Sequence, residues 1–144
     1  MVPKSLLFEA KAYLCWDLFD DLSIQLIPMH KATAYYFPPH NDRQSILLFY
    51  DDKSLDFSEA LFLLFHEAGH VVQFKQPGGK ADHDRCTQIP NGTERIAFEQ
   101  RAWDAAALML EKFLKKQRVE SRALIGSLRR FSQSCIQSYA APEE

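Results

Sequence analysis

Residues 58–74 read SEALFLLFHEAGHVVQF, and no other stretch limits the fold of this chain so tightly. A run this apolar, opened by DDKSLDF and stopped by PGG, has the length and boundaries of one buried helix. Advancing each residue by about 100° puts His66 and His70 on one face, about 40° apart, with Glu67 beside that face. Leu61, Leu64, Phe65, Ala68, Val71 and Val72 take the opposite side, while Phe62, Leu63 and Phe74 flank the imidazoles. The helix is therefore buried nearly all round. Polar side chains in such a place need partners, because burying them bare costs several kcal/mol. Gly69 adds a second constraint: glycine inside a helix costs roughly 1 kcal/mol against alanine, so it marks a close packing contact.

Histidines at i and i+4 of one helix can both reach a single metal ion. A carboxylate next to the first can touch a water on that metal without ligating it. His66, Glu67 and His70 have this HExxH spacing. A zinc (Zn²⁺) site of this kind needs a third protein ligand and one open position. The metzincin extension requires Gly at 73 and His at 76; Gln73 and Gln76 exclude it. Two sources remain: His83 in the polar stretch QPGGKADHDRCTQIPNGT (76–93), or a glutamate on the following helix.

That helix is expected to open at Asn91, with Glu94 as reciprocal partner in a capping box, and to run to about Gln117. Around Glu99, the residues Ile96, Ala102, Trp103, Ala106, Leu110, Phe113 and Leu114 all fall within about 60°. Asp104 and Glu111 point elsewhere. A carboxylate in the middle of an apolar stripe is costly unless compensated, and a metal compensates it. Glu99 is the expected third ligand. The competing reading pairs it with Arg95, one turn earlier on the same face.

HEAGH followed by FEQRAWDAA resembles the gluzincins, zinc metallopeptidases that combine the two HExxH histidines with a glutamate from a downstream helix. More narrowly, it is similar to the minimal members, the minigluzincins and ImmA/IrrE-like peptidases, over roughly residues 45–115. The resemblance implies an α+β, zincin-like domain: an N-terminal helix, a short three-stranded sheet, an active-site helix, a glutamate helix and a C-terminal helix. It implies a zinc-dependent metallopeptidase with His66, His70 and Glu99 on the metal and Glu67 as general base, acting on a peptide or protein substrate. The alternative is a catalytically latent module that binds a regulatory protein partner. Tyr35, Tyr36, His83 and Tyr139 are candidates for stabilising an oxyanion. The resemblance also suggests that SILLFYD (45–51) offers a strand edge to an extended peptide.

The rest of the chain fits a single domain over 1–144. Spacing predicts a helix over 4–22 through Leu6, Leu7, Ala10, Leu14, Leu18 and Phe19, then strands at 23–29, 32–37 and 45–51. The last two read as a hairpin whose loop, PPHNDRQ, is too long for a tight turn. Asp56 is expected to cap the HEAGH helix with Glu59 as its capping-box partner. A final helix over 120–138 uses Leu124, Leu128, Phe131 and Cys135. The net charge of −2 points to neither nucleic acid nor membrane, and the longest apolar runs are far too short for a bilayer. Seven basic residues against two acidic ones between Glu111 and Arg130 read as a solvated helix face. Three cysteines, Cys15, Cys86 and Cys135, suit free thiols, and the expected location is the cytoplasm.

Overall fold

The computed structural model describes residues 1–140. Their architecture is α+β: five α-helices and one three-stranded mixed sheet. Helix α1 (Lys4–Ala12) buries Leu6, Leu7 and Ala10 and continues into a π-helical turn, Tyr13–Leu18, closed by the Phe19 N–H on the Leu14 carbonyl. The wider turn carries an extra residue and rotates the helix face. Leu18 is therefore turned outward rather than into the core, Trp16 is 85% exposed, and the helix ends short of the expected 22.

Strands β1 (Leu22–Met29), β2 (Thr33–His40) and β3 (Arg43–Asp51) lie in the order β1-β3-β2. β1 runs parallel to β3, with Ile24 opposite Ile46, and β2 runs antiparallel to it, with Tyr36 opposite Ile46. The hairpin turn is tight, contrary to the sequence expectation. Asn41 and Asp42, at φ 52° and 63°, make a two-residue connection of the kind whose twist matches the strands. Pro38 and Pro39 are absorbed in a pairing irregularity between Phe37 and His40 on this edge strand, where a missing N–H does no harm. Gln44, Ile46, Leu48 and Tyr50 alternate inward along β3. Because β3 is the central strand, SILLFYD has no free edge; the expectation for it is corrected, and β2 and β1 are the edges.

Helix α2 (Ser58–Lys75) packs on this sheet and buries eleven residues, His66, Glu67 and His70 among them. Asp56 does not close the expected capping box. Its carboxylate instead accepts the Ser58 N–H and hydroxyl and the Val2 N–H, tying the helix start to the N-terminal segment. Beyond α2, the stretch expected to be a loop contains a short helix, α3 (Gly79–Thr87). It follows left-handed Gly78, and Gly79 sits so close to the Gln73 and Phe74 carbonyls that a Cβ would collide with them. Asp82 accepts from Arg85 at 2.8 Å and Arg101 at 3.2 Å, and Cys86 is its only buried side chain.

Helix α4 (Thr93–Lys116) crosses α2 where Gly69 meets Ala102; a Cβ on Gly69 would overlap the Ala102 carbonyl. No side chain caps α4. Glu94 pairs with Arg85 of α3 rather than with Asn91, which corrects the capping-box expectation. Helix α5 (Arg122–Gln137) follows Glu120, whose carboxylate accepts the Arg122 N–H at 2.8 Å. It lays Leu124, Leu128, Phe131 and Cys135 against the core. One cluster of buried apolar residues runs from Val2 to Ile136. Basic residues of the C-terminal third find acids: Lys116 pairs with Asp17, Lys115 with Glu111 and Arg129 with Asp104. Cys15, Cys86 and Cys135 are free thiols, and no helix among the described residues is long and apolar enough to cross a membrane.

Candidate metal centre

Three consequences of local sequence bring the site together. The i, i+4 spacing brings the His66 and His70 rings together edge-on, with centroids 4.7 Å apart. Gly69, lying between them, lets α4 come into backbone contact. Ala102 at that contact is one turn after Glu99, so Glu99 faces the imidazoles.

His66 Nε2 lies 2.9 Å from Glu99 Oε2 and His70 Nε2 lies 3.2 Å from the same oxygen. The side chains are almost sealed, with residue exposures of 8% for His66, 7% for His70 and 2% for Glu99. One donor atom from each lies within 4.8 Å of the others, so this buried His-His-Glu group can hold a metal ion. The spacing fits. Zinc bonds of about 2.0–2.2 Å at tetrahedral angles place neighbouring donors roughly 3.3 Å apart. The two nitrogen–oxygen separations need open only slightly, and the donor set is the borderline nitrogen and oxygen mixture that zinc favours.

Electrostatics hold the cluster. Burial opposes charge on His66, but the Glu67 and Glu99 carboxylates outweigh it and raise its pKa to about 9 in the metal-free chain. Burial likewise pushes Glu99 upward, but its hydrogen bonds and charge pairing with His66 and His70 hold the carboxyl well below the usual carboxylate range. Glu99 is also paired with Arg95, as the competing sequence reading had it. The Arg95 Nε–H donates to Oε1 at 3.1 Å, while Oε2 faces the histidines. The Arg95 pairing occupies one oxygen and leaves the other to the imidazoles, so the two readings do not exclude each other. Arg95 is anchored in turn by the Cys86 and Ile89 carbonyls and lies 4.7 Å from the Tyr139 ring centroid.

Glu67 approaches His66 Nδ1 at 3.6 Å and lines a cavity of about 340 Å³ with His66, His70, Glu99 and Arg95. All four oxyanion candidates reach this cavity: Tyr35, Tyr36, His83 and Tyr139. They differ in what they have free. The Tyr36 hydroxyl already donates to Gln44 at 2.5 Å; burial, with Asp21 and Glu67, raises its pKa. Tyr35 is more than half exposed on edge strand β2. His83 stands on α3, edge-on to Tyr36, Phe74 and Phe98, with Nδ1 buried and without a hydrogen-bond partner. Burial, helped by His70, lowers its pKa, so the ring is neutral at neutral pH. His83 is outside the His-His-Glu group.

Trp103 and Gln73 escaped assignment from sequence. Trp103 stacks flat on His66, with centroids 4.2 Å apart and planes 8° from parallel, and Phe131 of α5 meets its edge. Gln73 lies 2.8 Å from His70 Nδ1. The available signal for Gln73 was its i+3 position after His70; for Trp103, it was the i+4 position after Glu99. Comparison with protein-family models, curated proteins and solved structures finds no match to this chain.

Proposed function

We propose that this protein is a zinc metallopeptidase of the minimal gluzincin type, hydrolysing peptide bonds in a peptide or protein substrate. The observation that carries the reading is the meeting of His66 Nε2 and His70 Nε2 at one oxygen of Glu99, with Glu67 on the adjoining cavity wall. His66, His70 and Glu99 would hold the zinc. Zinc so held supplies Lewis acidity, making water a nucleophile near neutral pH and polarising a carbonyl.

The other steps belong to the chain. Glu67 receives the proton of the attacking water on a carboxylate oxygen and delivers it to the leaving amine. His83 donates an N–H to the developing oxyanion; its buried Nδ1 has no hydrogen-bond partner, whereas the Tyr36 hydroxyl is committed to Gln44. β2, the edge strand bearing Ala34, Tyr35 and Tyr36 on the cavity, is the strand an extended substrate would pair with. Three free thiols support a reducing, cytoplasmic setting.

The test measures zinc in the purified protein and cleavage of a broad peptide library, in parent and Glu67→Gln. Parent should hold about one zinc per chain and cleave. Glu67→Gln should keep the zinc and lose cleavage. Parent without zinc, or a Glu67→Gln protein cleaving as fast as parent, would refute the proposal. A zinc-loaded parent that cleaves nothing would favour the latent binding module.

A further inference from the structure

We propose that Gln73 is a positioning residue of the metal centre, holding a proton on His70 Nδ1 so that Nε2 is the nitrogen left to ligate, and tying that ring to the backbone of α4. The inference rests on the metal-centre reading above.

Chemistry at three atoms decides the arrangement. The Gln73 side chain reaches the Phe98 carbonyl at one end, at 2.8 Å, and His70 Nδ1 at the other, also at 2.8 Å. A backbone carbonyl only accepts, so the amide must turn its NH₂ toward Phe98. Its oxygen, an acceptor only, is then left for His70. Nδ1 must therefore carry a proton and donate it to Gln73 Oε1. Glu99 Oε2, 3.2 Å from Nε2, likewise only accepts, so in the metal-free chain Nε2 donates to it, and Nε2 is the nitrogen that gives up its proton to ligate a metal. The amide direction, and through it the proton on Nδ1, is set by a peptide carbonyl of the opposing helix.

The partner residue is well placed for this. Phe98 immediately precedes Glu99, and its ring stacks on His70 with centroids 5.2 Å apart. One short segment of α4 thus supplies the third ligand, the acceptor that orients Gln73 and an apolar wall for His70. A carboxylate is a common partner for a ligating imidazole. It has no donor for the Phe98 carbonyl, whereas an amide serves both ends and adds no charge beside Glu67 and Glu99. His66 is held differently, flat against Trp103, with Glu67 no nearer than 3.6 Å to its Nδ1. Gln73 gives His70 the directional hold that His66 lacks.

The experiment uses the full chain and zinc ion alone, with affinity read by competition against a chromophoric chelator in parent, Gln73→Leu and Gln73→Glu. Both variants lose the donor to Phe98, but only Gln73→Glu keeps an acceptor for Nδ1. Gln73→Leu should bind zinc about 10- to 100-fold more weakly than parent. Gln73→Glu should bind at least as tightly as parent. A second readout needs no metal: proton–nitrogen spectra of the metal-free parent should show a slowly exchanging proton on His70 Nδ1. Parent affinity in Gln73→Leu, equal weakening in both variants, or an unprotonated Nδ1 in the parent would overturn the assignment. Equal weakening would make Gln73 only a strap between α2 and α4. Should the parent bind no zinc, the metal-centre reading fails, while the His70 spectrum still decides the role of Gln73. The same spectrum and Gln73→Glu decide it should Gln73→Leu not fold.

Discussion

Replacing Gly69 with alanine adds one methyl group where α2 meets the main chain of α4. On an isolated helix, the change is favourable by up to about 1 kcal/mol. Here the new Cβ overlaps the Ala102 carbonyl, and Ala102 C lies only 2.9 Å from it. The obstructing atoms are main chain, so no side chain can swing aside. The helices must separate, and overpacking of this kind costs about 1–3 kcal/mol. After the gain in propensity, a net loss of roughly 1–2 kcal/mol remains, or a few degrees in Tm. The displacement also reaches the metal centre, because Glu99 rides one turn before Ala102. Its 2.9 Å and 3.2 Å separations from the two imidazoles would lengthen together, so zinc affinity should fall with stability. Urea denaturation of the metal-free protein reads the first effect and chelator competition the second. A Gly69→Ala protein that is as stable as parent and binds zinc as tightly would refute the link between this glycine and the site.

Glu99→Ala should abolish tight zinc binding and, in the metal-free protein, lower stability by roughly 3 kcal/mol, since it leaves the two buried imidazoles and the half-buried Arg95 without their carboxylate; metal analysis and urea denaturation check the two effects. His83→Ala should leave zinc content at the parent level and reduce turnover of a cleaved peptide by about 100-fold or more, as for loss of one oxyanion donor; a metal-depleted variant would put His83 among the ligands instead. Asp56 has a lowered pKa because Ser58 and the Val2 N–H hydrogen-bond its carboxylate, so its stabilisation is present above the unfolded Asp value of about 3.9 and is lost as pH falls toward the depressed folded value. The urea midpoints of parent and Asp56→Asn should therefore differ most near neutral pH and converge on acidification; a gap independent of pH between 2.5 and 7 would exclude this cause.

The parts of the fold legible in the sequence are those where burial is periodic. α2 and α4 were readable because long apolar faces carry few exceptions, and the exceptions, His66, Glu67, His70 and Glu99, are the residues the structure brings together. α3 was not readable. GKADHDRCT opens on glycine and buries one side chain, and its order comes from charges on other elements, Arg101 and Glu94, which no local window contains. The π-helical turn at Tyr13–Leu18 was hidden for another reason: one extra residue per turn changes the period itself, so Leu18 lies on the wrong side of any 3.6-residue wheel. Strand order was equally out of reach. A hairpin places β2 beside β3, but only the packing of the whole sheet puts β1 on the far edge and leaves β2 as the edge beside the site. The orienting groups were missed because sequence spacing shows which residues share a helix face but not which nitrogen an amide will meet.

Stability alone gives a poor account of the cluster at the centre of this protein. Replacing a buried ion cluster with well-packed apolar residues is often neutral or stabilising by about 1–4 kcal/mol. The surroundings of this one, Phe65, Ala68, Phe98, Ala102 and Trp103, are the kind that would accept such residues. A purely structural role would need one ion pair, and Arg95 with Glu99 already provides it. Yet a second and a third buried polar chain, His66 and His70, share the remaining Glu99 oxygen. Glu67 lines the cavity with no basic atom closer than 3.6 Å, and His83, which lines the same cavity, keeps a buried nitrogen unpartnered. These additional groups converge on one cavity rather than being spread through the core. The proposed function accounts for that arrangement: three of the groups would share a cation, and the other two would meet a substrate.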